Sequence, residues 1–176
     1  IELRKYLEKN GVSFKTNSDT EVLLNLLIFE GEKSISKLNG MFAFAFHDRL
    51  DNSWIICRDH FGIKPLYYAS QDNMMFFASE IKSILSVPNI NQNKSRNNIA
   101  LQEYLTFQFC LNEKTLFNNI YKVLPGFYIL GKGSKIIKEE KYFDCNYEIT
   151  DNNENYFIDE LKYLLETLIS SNDRLT

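Results

Sequence analysis

Three thiols, two imidazoles and a few well-placed carboxylates are the side chains that could do chemistry in this chain of 176 residues. Cys57, Cys110 and Cys145 show no CxxC spacing and no Cys/His ligand pattern, so neither a zinc site nor a disulfide framework is expected. His47 and His60 are the imidazoles open to a thiol, with His60 three residues past Cys57, but nothing around them has a Cys–His protease signature. Cys57 follows Ile55 and Ile56 in a strand pattern and reads as a buried filler. Asp19, in Ser18-Asp19-Thr20-Glu21, has a plain structural use as a helix cap or first-turn acid favoured by the macrodipole. Glu80, in Ala78-Ser79-Glu80, is open to the same use or to that of a site acid. Arg58-Asp59-x-x-Gly62-x-x-Pro65-Leu66 sets a charged pair beside a glycine that can take positive φ and a proline that fixes the exit. A loop held by charge-assisted hydrogen bonds is expected there.

Elements that position these residues follow from periodicity and punctuation. Leu3, Tyr6 and Leu7 fall on helical spacing through residue 10, and Gly11 ends the run as a C-terminal cap. Ser18 or Asp19 caps a second helix running to Phe29, with Val22, Leu23, Leu26 and Leu27 on its apolar side, and Ser18-x-x-Glu21 has capping-box spacing. A short helix runs from Gly31 to Leu38. From Gly40 the period changes to 2: Met41 to Phe46 alternates Phe with Ala, and Trp54 to Cys57 makes the next strand. Tyr67–Ala69 and Met74–Phe77 form a hairpin around Gln71-Asp72-Asn73. Glu80 to Leu85 reads as a short helix, Asn89 to Asn98 as a loop, and Ile99 to Phe107 as a helix. Leu116 to Pro125 is an irregular approach to a strand pair, Phe127–Leu130 and Ile136–Lys138. Polar residues 146–155 are the linker candidate, and Phe157, Leu161, Leu164, Leu165 and Leu168 stripe a final helix.

Composition sets outer bounds. Hydrophobic residues are 44% and aromatics 14% of the chain, enough for a packed core. A net charge of −3 with scattered basic residues argues against nucleic acid and against an anionic membrane surface, and Lys132 to Lys141 is interleaved with Glu139 and Glu140. No apolar run has the ~20 residues of a membrane span, and no signal-peptide pattern opens the chain. A cytoplasmic protein is expected. The start at Ile1, with no initiator Met, suggests truncation or processing.

Four strings in fixed order carry a resemblance: Ser18-Asp19-Thr20-Glu21-Val22-Leu23-Leu24, Asn39-Gly40-Met41-Phe42-Ala43-Phe44-Ala45-Phe46-His47-Asp48, Arg58-Asp59-His60-Phe61-Gly62-Ile63-Lys64-Pro65-Leu66-Tyr67-Tyr68 and Ala78-Ser79-Glu80-Ile81-Lys82-Ser83-Ile84-Leu85. The set resembles the glutamine amidotransferase domain of glutamine-hydrolysing asparagine synthetases, a member of the N-terminal-nucleophile class. Thr115-Leu116-Phe117 and Leu124-Pro125-Gly126 extend the likeness.

The resemblance implies an α+β fold, an αββα sandwich of mainly antiparallel strands, incomplete at its N-terminus. Residues 1–145 would be a partial glutaminase domain, and residues 146–176 a linker with the first helix of a synthetase domain. By resemblance Asp19 receives the α-amino group of glutamine, as a carboxylate partner for an ammonium taken out of water. Met41 would lie beside an ammonia tunnel, where an apolar thioether suits a neutral passenger, with core packing as its other use. Family members attack glutamine with a cysteine whose own free α-amino group is the base. All three cysteines here have acylated nitrogens, so no catalytic residue and no metal site are assigned, and the chain alone is expected to be inactive. The expected partners are glutamine, the preceding segment and a C-terminal synthetase domain that uses ATP and magnesium to activate aspartate. A second copy of the chain, as a homodimer, is a further candidate partner. The alternatives are a non-catalytic scaffold that kept the fold, or a relative that amidates another carboxyl.

Overall fold

Capping chemistry sets the first two helices. Helix α1 (Glu2–Lys9) buries Leu7 and ends at Gly11, which takes φ +86°. Helix α2 (Asp19–Glu30) starts at Ser18, whose Oγ accepts from the Thr20 N–H at 3.1 Å. The capping box forms only in part. The Glu21 carboxylate reaches further back than Ser18 and accepts from the Lys15 and Thr16 N–H groups at 2.8 and 2.7 Å and from Thr16 Oγ1 at 2.6 Å. It ties down the incoming loop instead of closing on the cap. This computed structural model describes residues 2–147 and 151–172, with side chains to 169. The opening Ile1 and residues 148–150 of the expected linker fall outside the described residues. The chain forms two compact units, residues 1–144 and 145–176.

A 3-10 segment (Gly31–Lys37) leads to strands β1 (Ala43–Asp48), β2 (Ser53–Arg58), β3 (Tyr67–Gln71) and β4 (Met74–Ala78). Helices α3 (Ile81–Leu85), α4 (Pro88–Gln92) and α5 (Asn98–Phe107) follow, then β5 (Ile120–Lys122), β6 (Phe127–Lys132) and β7 (Lys135–Lys141). Two of these depart from expectation. Residues 89–92 of the segment read as a loop belong to α4, because Pro88 opens the turn and Ile90 is buried under the sheet. The approach read as irregular contains β5, which pairs antiparallel with β3 through Ile120 opposite Ala69. Three residues are too few to show a period.

The strands make two antiparallel sheets, β1-β2-β6-β7 and β4-β3-β5. Trp54, Ile56 and Ile129 point from the first sheet onto Leu66, Tyr68 and Val123, with Met75 and Phe77 of β4 packed against them. On the other face Ile55, Cys57 and Tyr128 meet Leu23 and Leu27 of α2, together with Phe44 and Phe46 of β1. Strand β2 is therefore apolar on both faces, which is why its residues run on without alternating. The Phe/Ala pattern sorts large side chains toward the helices and leaves alanines on the other face of the sheet. Beyond the second sheet, Ala69 and Ile120 pack on Ile84 of α3 and Ile90 of α4. The order of layers is helix, sheet, sheet, helix, the αββα sandwich the sequence implied. In the second unit, α6 (Glu154–Asn172) carries Phe157, Leu161, Leu164, Leu165 and Leu168 as an exposed apolar stripe.

The segment from Arg58 to Leu66 carries the chain from the first sheet to the second. Asp59 is 1% exposed and accepts the N–H groups of Phe61, Ile63 and Lys64 at 3.2, 3.0 and 2.9 Å. Its own N–H donates to Phe42 O, and its carbonyl takes the Gly62 and Gly126 N–H groups. The Arg58 guanidinium does the converse, donating to the carbonyls of Lys64, Val123 and Gly62 at 2.9, 2.8 and 2.7 Å. The two charges organise backbone instead of pairing with each other. Gly62 adopts φ +66°, and an added Cβ would stand 2.8 Å from Pro125 Cγ, so only glycine fits there.

Burial alone would raise the Asp59 pKa, but the amides of Lys64, Ile63 and Phe61 outweigh it and hold the carboxyl below its ordinary range. A depressed folded pKa stabilises fully above the unfolded value, and that contribution is lost as pH falls through the folded one. Asp59→Asn is therefore expected to lower the unfolding free energy at neutral pH by about 2–3 kcal/mol. Urea titrations across acid pH should show the variant losing less stability on acidification than the parent chain. An equally steep acid loss in both would exclude Asp59 as its source.

Candidate functional site

Asp19 is the first residue of α2, and Ser18 takes the capping role in its place. The Asp19 side chain is exposed, and its carboxylate has no hydrogen-bond or ion-pair partner among the described residues. The loop that delivers it is fastened from several sides. Besides the three bonds to Glu21, Arg4 stacks on the Phe14 ring at 4.3 Å and donates to Ser18 O at 3.4 Å. Hydrogen bonds from the Lys15 amide and Thr16 hold the Glu21 carboxyl below its ordinary pKa. A shallow polar depression lined by Arg4, Glu8, Phe14, Lys15, Thr16 and Asn17 borders the same loop. A carboxylate on a fixed backbone with its acceptors unused is suited to receiving a cation from solution.

Met41 stands between the 3-10 segment and β1, and it is 66% exposed. Core packing, its alternative use, does not apply among the described residues. Its neighbour Phe42 shares a cluster with Leu7, Leu26 and Leu38 that also takes in Val22 and Leu23, close after Asp19 in α2. Asp19 and Met41 thus extend from elements anchored in one apolar cluster. Asp59 fixes the Met41 side of it through the bond to Phe42 O, 2.9 Å long.

The thiols fall into three environments. Cys57 is fully buried between α2 and the first sheet, and burial pushes its pKa up to about 12, against a smaller opposing effect of Tyr142. Cys110 is partly exposed, 3.7 Å from Ala100 O, and Cys145 is exposed. His47 contacts Asn52 at the β1–β2 turn, while His60 stacks on Phe143 with ring centroids 4.1 Å apart. Neither imidazole has a hydrogen bond to a thiol among the described residues, and no group of three His, Cys, Asp or Glu there is placed to hold a metal. Glu80 stands just before α3 with no side-chain capping bond and pairs with Lys82 at 2.6 Å on the surface, so the helix-start use read for it does not form.

Two supports were not legible in the sequence as site features. Glu21 holds the Asp19 loop, and its only signal was the capping-box spacing. Tyr142 closes over Arg58, donating its hydroxyl to Arg58 O at 2.8 Å, and no spacing pointed to it. With iodoacetamide at neutral pH, Cys145 is expected to be carbamidomethylated readily in the folded chain and Cys57 only after unfolding, read by peptide mass mapping. Equal labelling of both would contradict the burial of Cys57.

Residues 1–143 match the family model described as a glutamine amidotransferase domain. A relative named asparagine synthetase [glutamine-hydrolyzing] 1, from Bacillus subtilis, is 39% identical over 92% of this chain and 25% of its own length. A putative asparagine synthetase [glutamine-hydrolyzing] of Mycobacterium bovis is 29% identical over 99% of this chain and 28% of its own. An amidase, chry2, of Gibberella zeae is 32% identical over 76% of this chain and 19% of its own. The chain thus spans about a quarter of the length of the first of these relatives. In three dimensions it is similar to the glutamine phosphoribosylpyrophosphate amidotransferase of B. subtilis, with a TM-score of 0.52 at 22% identity, covering 81% of this chain and 26% of that one. That likeness establishes the sandwich fold, and the sequence match establishes the family: this chain belongs to the glutamine amidotransferase domain family.

Proposed function

We propose that this chain is part of the glutaminase portion of an asparagine synthetase, in which glutamine is hydrolysed to glutamate and ammonia and the ammonia amidates aspartate. The family match over residues 1–143 and the relatives named as glutamine-hydrolysing asparagine synthetases support this reading. The observation that carries it is the uncommitted Asp19 carboxylate on a tightly fastened helix start. In this reading Asp19 accepts the α-ammonium of glutamine and fixes the substrate's orientation, while Met41 lies beside the path by which neutral ammonia leaves. The thioether offers ammonia contact without a strong acceptor that would hold it. Magnesium and ATP, which activate the aspartate, belong in this reading to a synthetase portion. Three thiols free of disulfides fit a reducing, cytoplasmic setting, and no helix among the described residues is long and apolar enough to cross a membrane.

The amidase relative supports a second reading, the same glutaminase fold feeding ammonia to a different acceptor. In a full-length protein carrying this sequence, Asp19→Asn is expected to raise the KM for glutamine about 10–100-fold, the worth of one charge-assisted hydrogen bond. The ammonia-dependent reaction bypasses the site and should keep its rate. Equal loss of both reactions would assign Asp19 a structural role. The isolated chain is expected to release no ammonia from glutamine, since its cysteine nitrogens are all acylated. Release that disappears on substituting Cys57, Cys110 or Cys145 would overturn that expectation.

A further inference from the structure

The chain contains two Asn-Gly dipeptides, Asn10-Gly11 and Asn39-Gly40, and the structure treats them oppositely. Asparagine followed by glycine is open to self-cyclisation, because glycine has no Cβ to crowd its backbone nitrogen as that nitrogen attacks the neighbouring carboxamide. At the first dipeptide both reacting groups are engaged. The Asn10 carboxamide donates to Tyr6 O at 2.8 Å, and the Gly11 N–H donates to Glu8 O at 3.0 Å in the turn that ends α1. At the second, neither the Asn39 carboxamide nor the Gly40 N–H has a hydrogen-bond partner among the described residues. Both residues are exposed, Gly40 sits at φ +136°, and an ideal Cβ there would meet nothing within 4 Å.

We propose that Asn39 is a site of spontaneous covalent modification, deamidating through a cyclic imide to a mixture of isoaspartate and aspartate, whereas Asn10 is protected by the fold. In the first step solvent base removes the Gly40 amide proton. The Gly40 nitrogen bonds to Asn39 Cγ, the Cγ–NH2 bond breaks, and the amide nitrogen leaves as ammonia. Water then opens the ring at either carbonyl, with no oxidation or reduction. Opening at the former backbone carbonyl routes the main chain through the side-chain carbon and lengthens it by one methylene.

The position gives this chemistry a consequence. The residues at 39–41 bridge two fixed points, the buried Leu38, whose N–H donates to Ile35 O, and Phe42, whose carbonyl is held by Asp59. An isoaspartate there adds a charge and a backbone atom directly before Gly40 and Met41.

The test is to incubate the purified, folded chain at mildly alkaline pH and digest it with trypsin at intervals, following residues 38–49 and 10–15 by mass spectrometry. Methyl transfer by an isoaspartyl methyltransferase reports the isoaspartate. Each hydrogen bond that must break first slows the reaction by a factor of about three to ten, so with two of them at Asn10-Gly11, Asn39 should convert about ten to a hundred times faster than Asn10 in the folded chain. In denaturant the two rates should converge. Asn39→Gln should abolish the signal from the 38–49 peptide. Equal rates in the folded chain, or no conversion at Asn39 while it converts in denaturant, would overturn the proposal.

Discussion

The crossing from one sheet to the other is held by two oppositely charged neighbours that serve the backbone instead of each other. A chain that leaves a sheet to enter another must bury several peptide groups that no ladder can satisfy, and each costs free energy if left unpaired. Asp59 collects the amides, Arg58 collects the carbonyls, and no buried side-chain polar atom is left without a partner among the described residues. Charge is what makes the pair effective, since hydrogen bonds to ionised groups are the strong ones and one carboxylate can accept several amides.

From that crossing the rest of the sandwich is registered. Phe42 is held by Asp59 at the entry to β1, Val123 by Arg58 next to β5, and Gly126 by Asp59 at the entry to β6. One loop therefore fixes strand ends in both sheets, and the apolar face between Trp54, Ile56, Tyr68 and Ile129 closes over it. Tyr142 adds a cover from the end of β7, its hydroxyl on Arg58 O. The Cys57 thiol is enclosed on the opposite face of the first sheet, against α2, which suits it to filling space and unsuits it to nucleophilic attack.

The surface that remains available lies at the other end of the molecule's logic, where α2 begins. Its start is fixed by Ser18, Glu21 and Arg4, so that Asp19 keeps its carboxylate uncommitted on a backbone with little freedom. Fixing the backbone while leaving the side chain unpaired is the arrangement by which a binding group gains affinity from pre-organisation. The family match and the relatives named as asparagine synthetases give that arrangement its context.

Much of this was written locally in the sequence. The Phe/Ala alternation, the unbroken Trp54–Cys57 run, Gly11 and the Asp72-Asn73 turn between β3 and β4 each state a local preference, and the structure follows them. The four strings also fixed the family, because residue identities in fixed order survive without coordinates. Sequence alone left open what depends on contacts between distant segments. It could not show that β5 is a strand, because three residues gain that form only by pairing with β3. Nor could it show that Glu21 serves Lys15 and Thr16, that Arg58 and Asp59 divide the loop between them, or that Met41 is left out of the core. Local preference is set by each residue's own sterics and hydrogen-bonding groups, whereas partner choice and burial are decided only when segments far apart in the chain compete for the same space.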